Sequence, residues 1–342
     1  MKRGIKRIGI LTAGGDCPGL NAAIRGVAKT AILEYGMEVY GFVLGYTGLI
    51  KKEYIKLDES KVSGILTLGG TILGTSREKP FKSSLQDGDV NKPELMKETY
   101  NELGLDCIVC IGGNGTMKTA SRMYELGMNV IGIPKTIDND VWGTDITFGF
   151  DSAVSIATEA VDRLHTTANS HQRVMVMEVM GHSAGWIALY AGMAGGGDII
   201  LIPEINYNIE SVCKKVEDRF AIKKSYSIVV VAEGISVPPD KTAGSYIASC
   251  ITEITGVETR ETRLGYVQRG GSPSPMDRIL ATRYGSYAVE TIANENYGVM
   301  VALKGNKLTT IPLTEVENKL NLVSPEHPLI KMCRNMGVSF GD

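Results

Sequence analysis

Short runs of β-branched and apolar residues alternate with longer stretches of helical character along this chain, beginning with Ile8 to Thr12, then Gly19 to Tyr35, then Met37 to Val43. Further strand-like runs stand at Cys107 to Ile111, Val130 to Ile133, Val174 to Val179, Ile199 to Ile202 and Ser227 to Ala232, each ending at glycine, proline or a charge. That rhythm predicts parallel strands joined by crossover helices. In open sheets of this kind, ligands gather beyond the carboxyl ends of the strands, so the residues just after each run are where chemistry is expected.

With 342 residues, the chain is about twice the length of a typical domain, which predicts two lobes. No Pro/Ser-rich linker divides it, so a boundary would be crossed more than once. The net charge of -2 offers no basis for a nucleic-acid or membrane-surface partner. No apolar stretch reaches the roughly 18 residues needed to span a bilayer. The opening, with Lys2, Arg3, Lys6 and Arg7, leads into glycines and not into a signal-peptide core. Six cysteines are scattered, and the close pair Cys107 and Cys110 falls inside an apolar run, which reads as core and not as a metal site. A reduced, cytoplasmic setting is expected.

Two strand-to-helix turns are rich in glycine: Gly14-Gly15-Asp16-Cys17-Pro18-Gly19 and Gly112-Gly113-Asn114-Gly115-Thr116. Missing side chains let phosphate oxygens approach backbone N–H groups, and the following helix N-terminus favours negative charge. Neither turn has the Lys-Ser/Thr ending of a P-loop or the spacing of a dinucleotide fingerprint. Each taken alone is equally well read as a tight turn. A third segment, Gly69-Gly70-Thr71 with Gly74-Thr75-Ser76-Arg77, ends in a cation and favours a polyphosphate site.

After the run Val130 to Ile133 comes Pro134-Lys135-Thr136-Ile137-Asp138-Asn139-Asp140. If the backbone there is extended, the two aspartates point to one side, one placed to accept a hydroxyl proton and the other to hold magnesium. Alone, such a pair is as readily a turn or cap. Arg173, Arg260 and Arg269 stand in polar stretches without periodicity, and guanidinium groups suit a sugar phosphate.

Taken together, residues 14–26, 134–140, 170–173, 178–181 and 268–273 resemble the phosphofructokinase family, and the likeness runs from Ile8 to about Ile292. The resemblance implies two Rossmann-like three-layer α/β/α lobes with mostly parallel sheets. The nucleotide-binding lobe would comprise residues 1–149 plus about 268–318, and the fructose 6-phosphate lobe 150–267 plus about 319–342. It also implies a kinase that phosphorylates the 1-hydroxyl of fructose 6-phosphate with ATP and Mg2+. Asp138 would be the base, with Thr136 beside it and Arg77 bridging the two phosphates. Gly14, Tyr46, Arg77, Glu78, Gly113, Asn114, Gly115 and Thr116 would surround the nucleotide. The acceptor would be held by Thr136, Ile137, Met180, Gly181, His182, Glu233, Arg260, Tyr266, Val267, Gln268 and Arg269. Arg173 matches a cation that the family supplies from a neighbouring subunit, which implies a homotetramer or homodimer.

Some family members use pyrophosphate. Gly115 bears on this, because a carboxylate at that position fills the space of an α-phosphate and repels it; glycine leaves room for ATP. Lys135 is common among pyrophosphate users, so the two positions pull in opposite directions and the balance falls to ATP. A broader sugar-phosphate kinase and a catalytically silent regulatory subunit are the competing readings. Asn114 stands where the family commonly has a magnesium-associated Asp, which shifts the metal toward Asp140. His182 replaces an arginine usual in bacterial ATP-dependent members, and Lys135 is the residue expected to compensate. Tyr266 replaces a histidine. His165 and Ile222 replace two cationic effector contacts, which predicts weak allosteric control.

Overall fold

Strand β1 (Arg7–Thr12) and helix α1 (Leu20–Leu33) open the expected alternation. The computed structural model describes residue 4 and residues 6–82 and 90–342, so Lys2 and Arg3 of the basic opening lie outside the described residues. After α1 come β2 (Glu38–Phe42), α2 (Tyr46–Lys51), β3 (Tyr54–Leu57), α3 (Lys92–Glu102), β4 (Cys107–Gly112), α4 (Asn114–Glu125) and β5 (Val130–Pro134). The chain then runs through α5 (Phe150–His171), β6 (Val174–Val179), α6 (Trp186–Ala194), β7 (Ile199–Leu201), α7 (Ile209–Ala221), β8 (Ser227–Ala232), α8 (Ala243–Thr255) and β9 (Thr259–Arg263). A 3-10 turn at Gly265–Arg269 leads to α9 (Pro275–Ala293), β10 (Val299–Lys304), β11 (Lys307–Pro312), α10 (Leu313–Val316) and α11 (Pro328–Asn335).

The chain divides into two compact units: residues 1–136, 141–149 and 269–320 form the first, and residues 137–140, 150–268 and 321–342 the second. The first holds a seven-stranded sheet in the order β11-β10-β5-β4-β1-β2-β3. Its inner pairs are parallel, and only the two outermost, β2 with β3 and β10 with β11, are antiparallel. The second holds a four-stranded, wholly parallel sheet in the order β7-β8-β6-β9. The predicted α/β class with mostly parallel sheets is therefore observed.

Every residue of β4, β6 and β8 is buried, as expected for parallel strands covered on both faces. Leu11, Phe42, Ile108, Met117 and Met300 belong to one core of the first unit, and full burial of such side chains contributes about 1.5–3 kcal/mol each. Cys110 belongs to this core, and it and Cys107 have no exposed surface. Burial raises both thiol pKa values, that of Cys110 to about 12, so neither offers a thiolate near neutral pH.

β3, β9, β10 and β11 are not among the predicted strands. β3, β9 and β11 are sheet edges, where half-solvated sequences such as Thr-Arg-Glu-Thr-Arg replace the apolar run of a central strand. The expectation that Arg260 lies in an irregular stretch is corrected accordingly, since it sits on β9. Helices α1 and α9 pack closely at paired glycines: a Cβ on Gly26 would come within 2.8 Å of the Thr282 carbonyl oxygen, and one on Gly285 within 2.6 Å of that of Ala23.

Candidate active site

β1, β4 and β5 are adjacent parallel strands, so the turns that follow them leave one edge of the first unit's sheet. After β1, Gly14 takes φ +83°, a region open to glycine at little cost. Its N–H donates to Ser76 O at 3.0 Å and its carbonyl accepts from Thr75 Oγ1 at 2.7 Å. The third glycine segment is thereby tied to the first turn, which places Arg77 beside it on an exposed stretch of chain. Glu78 is ion-paired with Lys92 at 2.9 Å.

Two cations converge on the first turn. Lys135, only 4% exposed, donates its ammonium to the Gly15 carbonyl. A Cβ on Gly15 would lie 2.9 Å from a guanidinium nitrogen of Arg269. Arg269 is thus brought to the glycine turn of the first unit. Cys17, in the same turn, is buried and its thiol is pushed up to about 12 chiefly by that burial, which removes it as a nucleophile.

After β4, helix α4 begins at Gly113 with no side-chain cap. α1, after the first turn, also lacks one. By contrast α3, α7, α8 and α9 are capped by Asn91, Asn208, Thr242 and Ser274. Helices α2, α6 and α10 lack a side-chain cap as well, so it is the glycine turn ahead of α1 and of α4 that gives an anion room to approach the helix N-terminus. A Cβ at Gly115 would meet nothing within 4 Å. Tyr46 is 2% exposed, and its hydroxyl donates to Thr116 O at 3.2 Å; it braces this turn from inside.

Lys135 N–H donates to Gly112 O at 2.9 Å, and Thr147 Oγ1 donates to Thr136 O at 2.8 Å. Ile137 is 2% exposed. The expectation of an extended backbone from Asp138 to Asp140 fails: Asn139 has φ +52°, so simple alternation does not set the two carboxylates on one side. Asn321 holds the kink, donating its side-chain amide to Asn139 O at 2.8 Å and its N–H to Asp140 O at 2.9 Å.

In the second unit the expected acceptor-binding residues fall into two groups. Met180, Gly181 and His182 follow the carboxyl end of β6, and Glu233 follows β8. Glu233 Oε1 accepts the His182 N–H at 3.0 Å, and Gln268 Oε1 accepts that of Met180 at 2.8 Å. Gln268 has no exposed surface, so it positions the Met180 loop from within. Tyr266 and Val267 are exposed.

Arg173 and Arg260 belong to the opposite end of the sheet. Arg173 precedes β6, and Arg260 lies opposite Met175 in the register. Both reach Glu258, at 3.2 and 2.7 Å. Met175, which faces Arg260, stands five residues from Met180 along β6, about 17 Å. Within this chain Arg260 stands with Arg173 on Glu258 and not beside Met180.

A cavity of about 420 Å³ lies at the carboxyl end of β6, lined by His182 and Glu233 and also by Glu178, Lys241 and Arg263. Lys241 and Arg263 are not among the expected site residues. Arg263 stands just before the Leu264-Gly265-Tyr266 stretch, yet only the pairing of β9 with β6 reveals which end of the sheet it occupies.

The sequence matches the family described as Phosphofructokinase over residues 7–292. It is 60% identical to a protein of Bacteroides thetaiotaomicron described as ATP-dependent 6-phosphofructokinase 3, over 98% of this chain and all of that protein. A Streptomyces coelicolor protein described as pyrophosphate--fructose 6-phosphate 1-phosphotransferase is 45% identical over 98% of this chain and all of that protein. Among solved structures, the Pichia pastoris phosphofructokinase superposes with a TM-score of 0.82 at 35% identity, covering 92% of this chain; the chain spans 35% of that subunit's length.

Proposed function

Since this chain belongs to the phosphofructokinase family, we propose that it is an enzyme with the activity of an ATP-dependent 6-phosphofructokinase, transferring the γ-phosphoryl group of ATP to the 1-hydroxyl of fructose 6-phosphate. The products are fructose 1,6-bisphosphate and ADP, and the reaction is a step of glycolysis. The observation that carries this reading is the convergence of Lys135 and Arg269 on a glycine turn whose helix is left uncapped, since phosphoryl transfer asks chiefly for positioning and for cations on the migrating charge. Gly14, Arg77, Glu78, Gly113, Gly115 and Thr116 form the donor side. Asp138 takes the proton of the attacking hydroxyl, with Thr136 beside it. Purified protein supplied with both substrates and magnesium tests this directly; zero turnover would favour a silent regulatory subunit.

The open space at Gly115 supports ATP over pyrophosphate as donor. Magnesium fits as an ion carried by the nucleotide. Among the described residues no group of three His, Cys, Asp or Glu is placed to hold an ion, and Mg2+ in such sites takes one or two protein oxygens with phosphate and water filling the rest. Asp140, a hard carboxylate, would supply such an oxygen and help neutralise phosphate charge, whereas Asn114 offers only a weaker amide oxygen. Lys135 supplies the permanent cation absent at His182. Lys135→Gly is expected to lower kcat by about 10²-fold, the scale of one lost electrostatic contact to a transition state; steady-state kinetics checks it, and an unchanged kcat dismisses the role.

Arg173 and Arg260, together on Glu258, act on the sugar phosphate of a neighbouring copy, so the working form is a homo-oligomer. Among the described residues, no helix is long and apolar enough to cross a membrane, and a cytoplasmic location accords with six free cysteines. At the two effector positions, His165 is engaged through both ring nitrogens, with Tyr226 at 3.1 Å and Gly195 O at 2.6 Å, and Ile222 is an exposed apolar side chain. Neither presents a free side-chain donor to a phosphate. Rate against fructose 6-phosphate is expected to be hyperbolic and insensitive to ADP or phosphoenolpyruvate; a sigmoidal curve overturns this.

A further inference from the structure

We propose that Asn321 is a positioning residue for Asp138, fixing the direction in which that carboxylate leaves the main chain, a role that rests on the reaction assigned above. Asn139, the residue after Asp138, is 4% exposed and has φ +52°. That left-handed region disfavours side chains, Asn less than most, and it persists in a buried loop where neighbouring contacts fix it. Asn321 makes two such contacts. Its side-chain amide donates to Asn139 O at 2.8 Å, and its N–H donates to Asp140 O at 2.9 Å. Two consecutive carbonyls are thus held by one residue. On the other side of Asp138, Ile137 is buried. The carboxylate stands between an apolar anchor and a clamped kink.

Asn321 is itself built into the second unit. Trp186 Nε1 donates to Asn321 O at 2.7 Å. Two residues on, the buried Val323 donates its N–H to Glu204 Oε1 at 2.9 Å, and the same oxygen accepts the Gly185 N–H at 3.0 Å. Gly185 is the N-cap and Trp186 the first residue of α6, so the start of one helix grips the segment 321–323 at two places. The Trp186 ring is buried and meets those of His327 and Tyr190 at steep angles, with centroids 5.3 and 6.3 Å away. Packing of that kind leaves the indole little freedom to turn away from Asn321.

Asn321→Ala removes the side-chain amide and leaves both main-chain bonds, to Asp140 O and from Trp186, in place. Its kcat is expected to fall about tenfold, short of the roughly 10²-fold that an ångström of misplacement can cost. KM for fructose 6-phosphate and for ATP should stay within about threefold. Trp186→Phe keeps an aromatic ring in the cluster and removes the indole N–H; it should lower kcat in the same direction, and it carries the test if Asn321→Ala does not fold. Because both act through one segment, the combined loss should be smaller than the product of the two.

In an Asp138→Asn background, Asn321→Ala should change kcat by less than about twofold, since a residue that works through the carboxylate then has nothing left to position. General loosening of the site would lower the rate again. Wild-type kcat in both Asn321→Ala and Trp186→Phe, or an undiminished loss in the Asp138→Asn background, overturns the proposal. Crystal structures of the wild type and of Asn321→Ala, both without ligand, separate it from the reaction: Asn139 is expected to leave positive φ in the variant, and an unmoved Asn139 overturns the proposal whatever the rates. A wild type that does not phosphorylate fructose 6-phosphate, in a protein whose Asn139 shifts this way, counts against the reaction and leaves the placement of Asp138 by Asn321 standing.

Discussion

Asp138→Asn is expected to lower kcat for fructose 6-phosphate by about 10²–10⁴-fold, the range of one positioned general base. The substitution keeps size and shape while removing the negative charge and the ability to take a proton, and KM should stay within about threefold. The kink around it is held by main-chain carbonyls of Asn139 and Asp140, which the change does not touch. Steady-state kinetics over a pH series checks the outcome. A variant with wild-type kcat would remove the carboxylate from the chemistry and with it the reaction assigned here.

Gly115→Asp should reduce kcat/KM for ATP by about 10²-fold or more, because like charges brought together at a binding site cost several kcal/mol. The fold has no reason to respond, since a Cβ at this position meets nothing within 4 Å and Gly115 lies in the first turn of α4, where acidic residues are favoured by the helix dipole. The binding of fructose 6-phosphate, measured without donor, serves as the control and should be unaltered. Any rate with pyrophosphate should not fall, because that donor has no α-phosphate for the carboxylate to repel. Undiminished use of ATP would mean that the nucleotide does not pass position 115.

Strand-to-helix alternation was legible because it is local. Val-Ile-rich runs such as Ser227–Ala232 are buried on both faces, and burial of that kind leaves its mark on consecutive residues. Edge strands leave no such mark: Thr259–Arg263 is polar at every position, so its existence depends on β6 offering a partner. The glycine turns and the Lys135–Asp140 segment were likewise visible as candidates, since they stand just after strands that the apolar pattern reveals.

The composition of each turn, the α/β class and the family were determined by the sequence alone, because they rest on residues adjacent in the chain. Only the tertiary structure decided which distant side chains meet. Lys135 and Arg269 reach the Gly14–Gly15 turn across 120 and more residues, Asn139 turns left-handed under the hold of Asn321, and register alone sends Arg260 to one end of the sheet and Arg263 to the other. Three residues separate those two arginines in the chain, about 10 Å along a strand. Parallel pairing sets that distance against the fixed end of a neighbouring strand, and no pattern internal to Thr259–Arg263 encodes it.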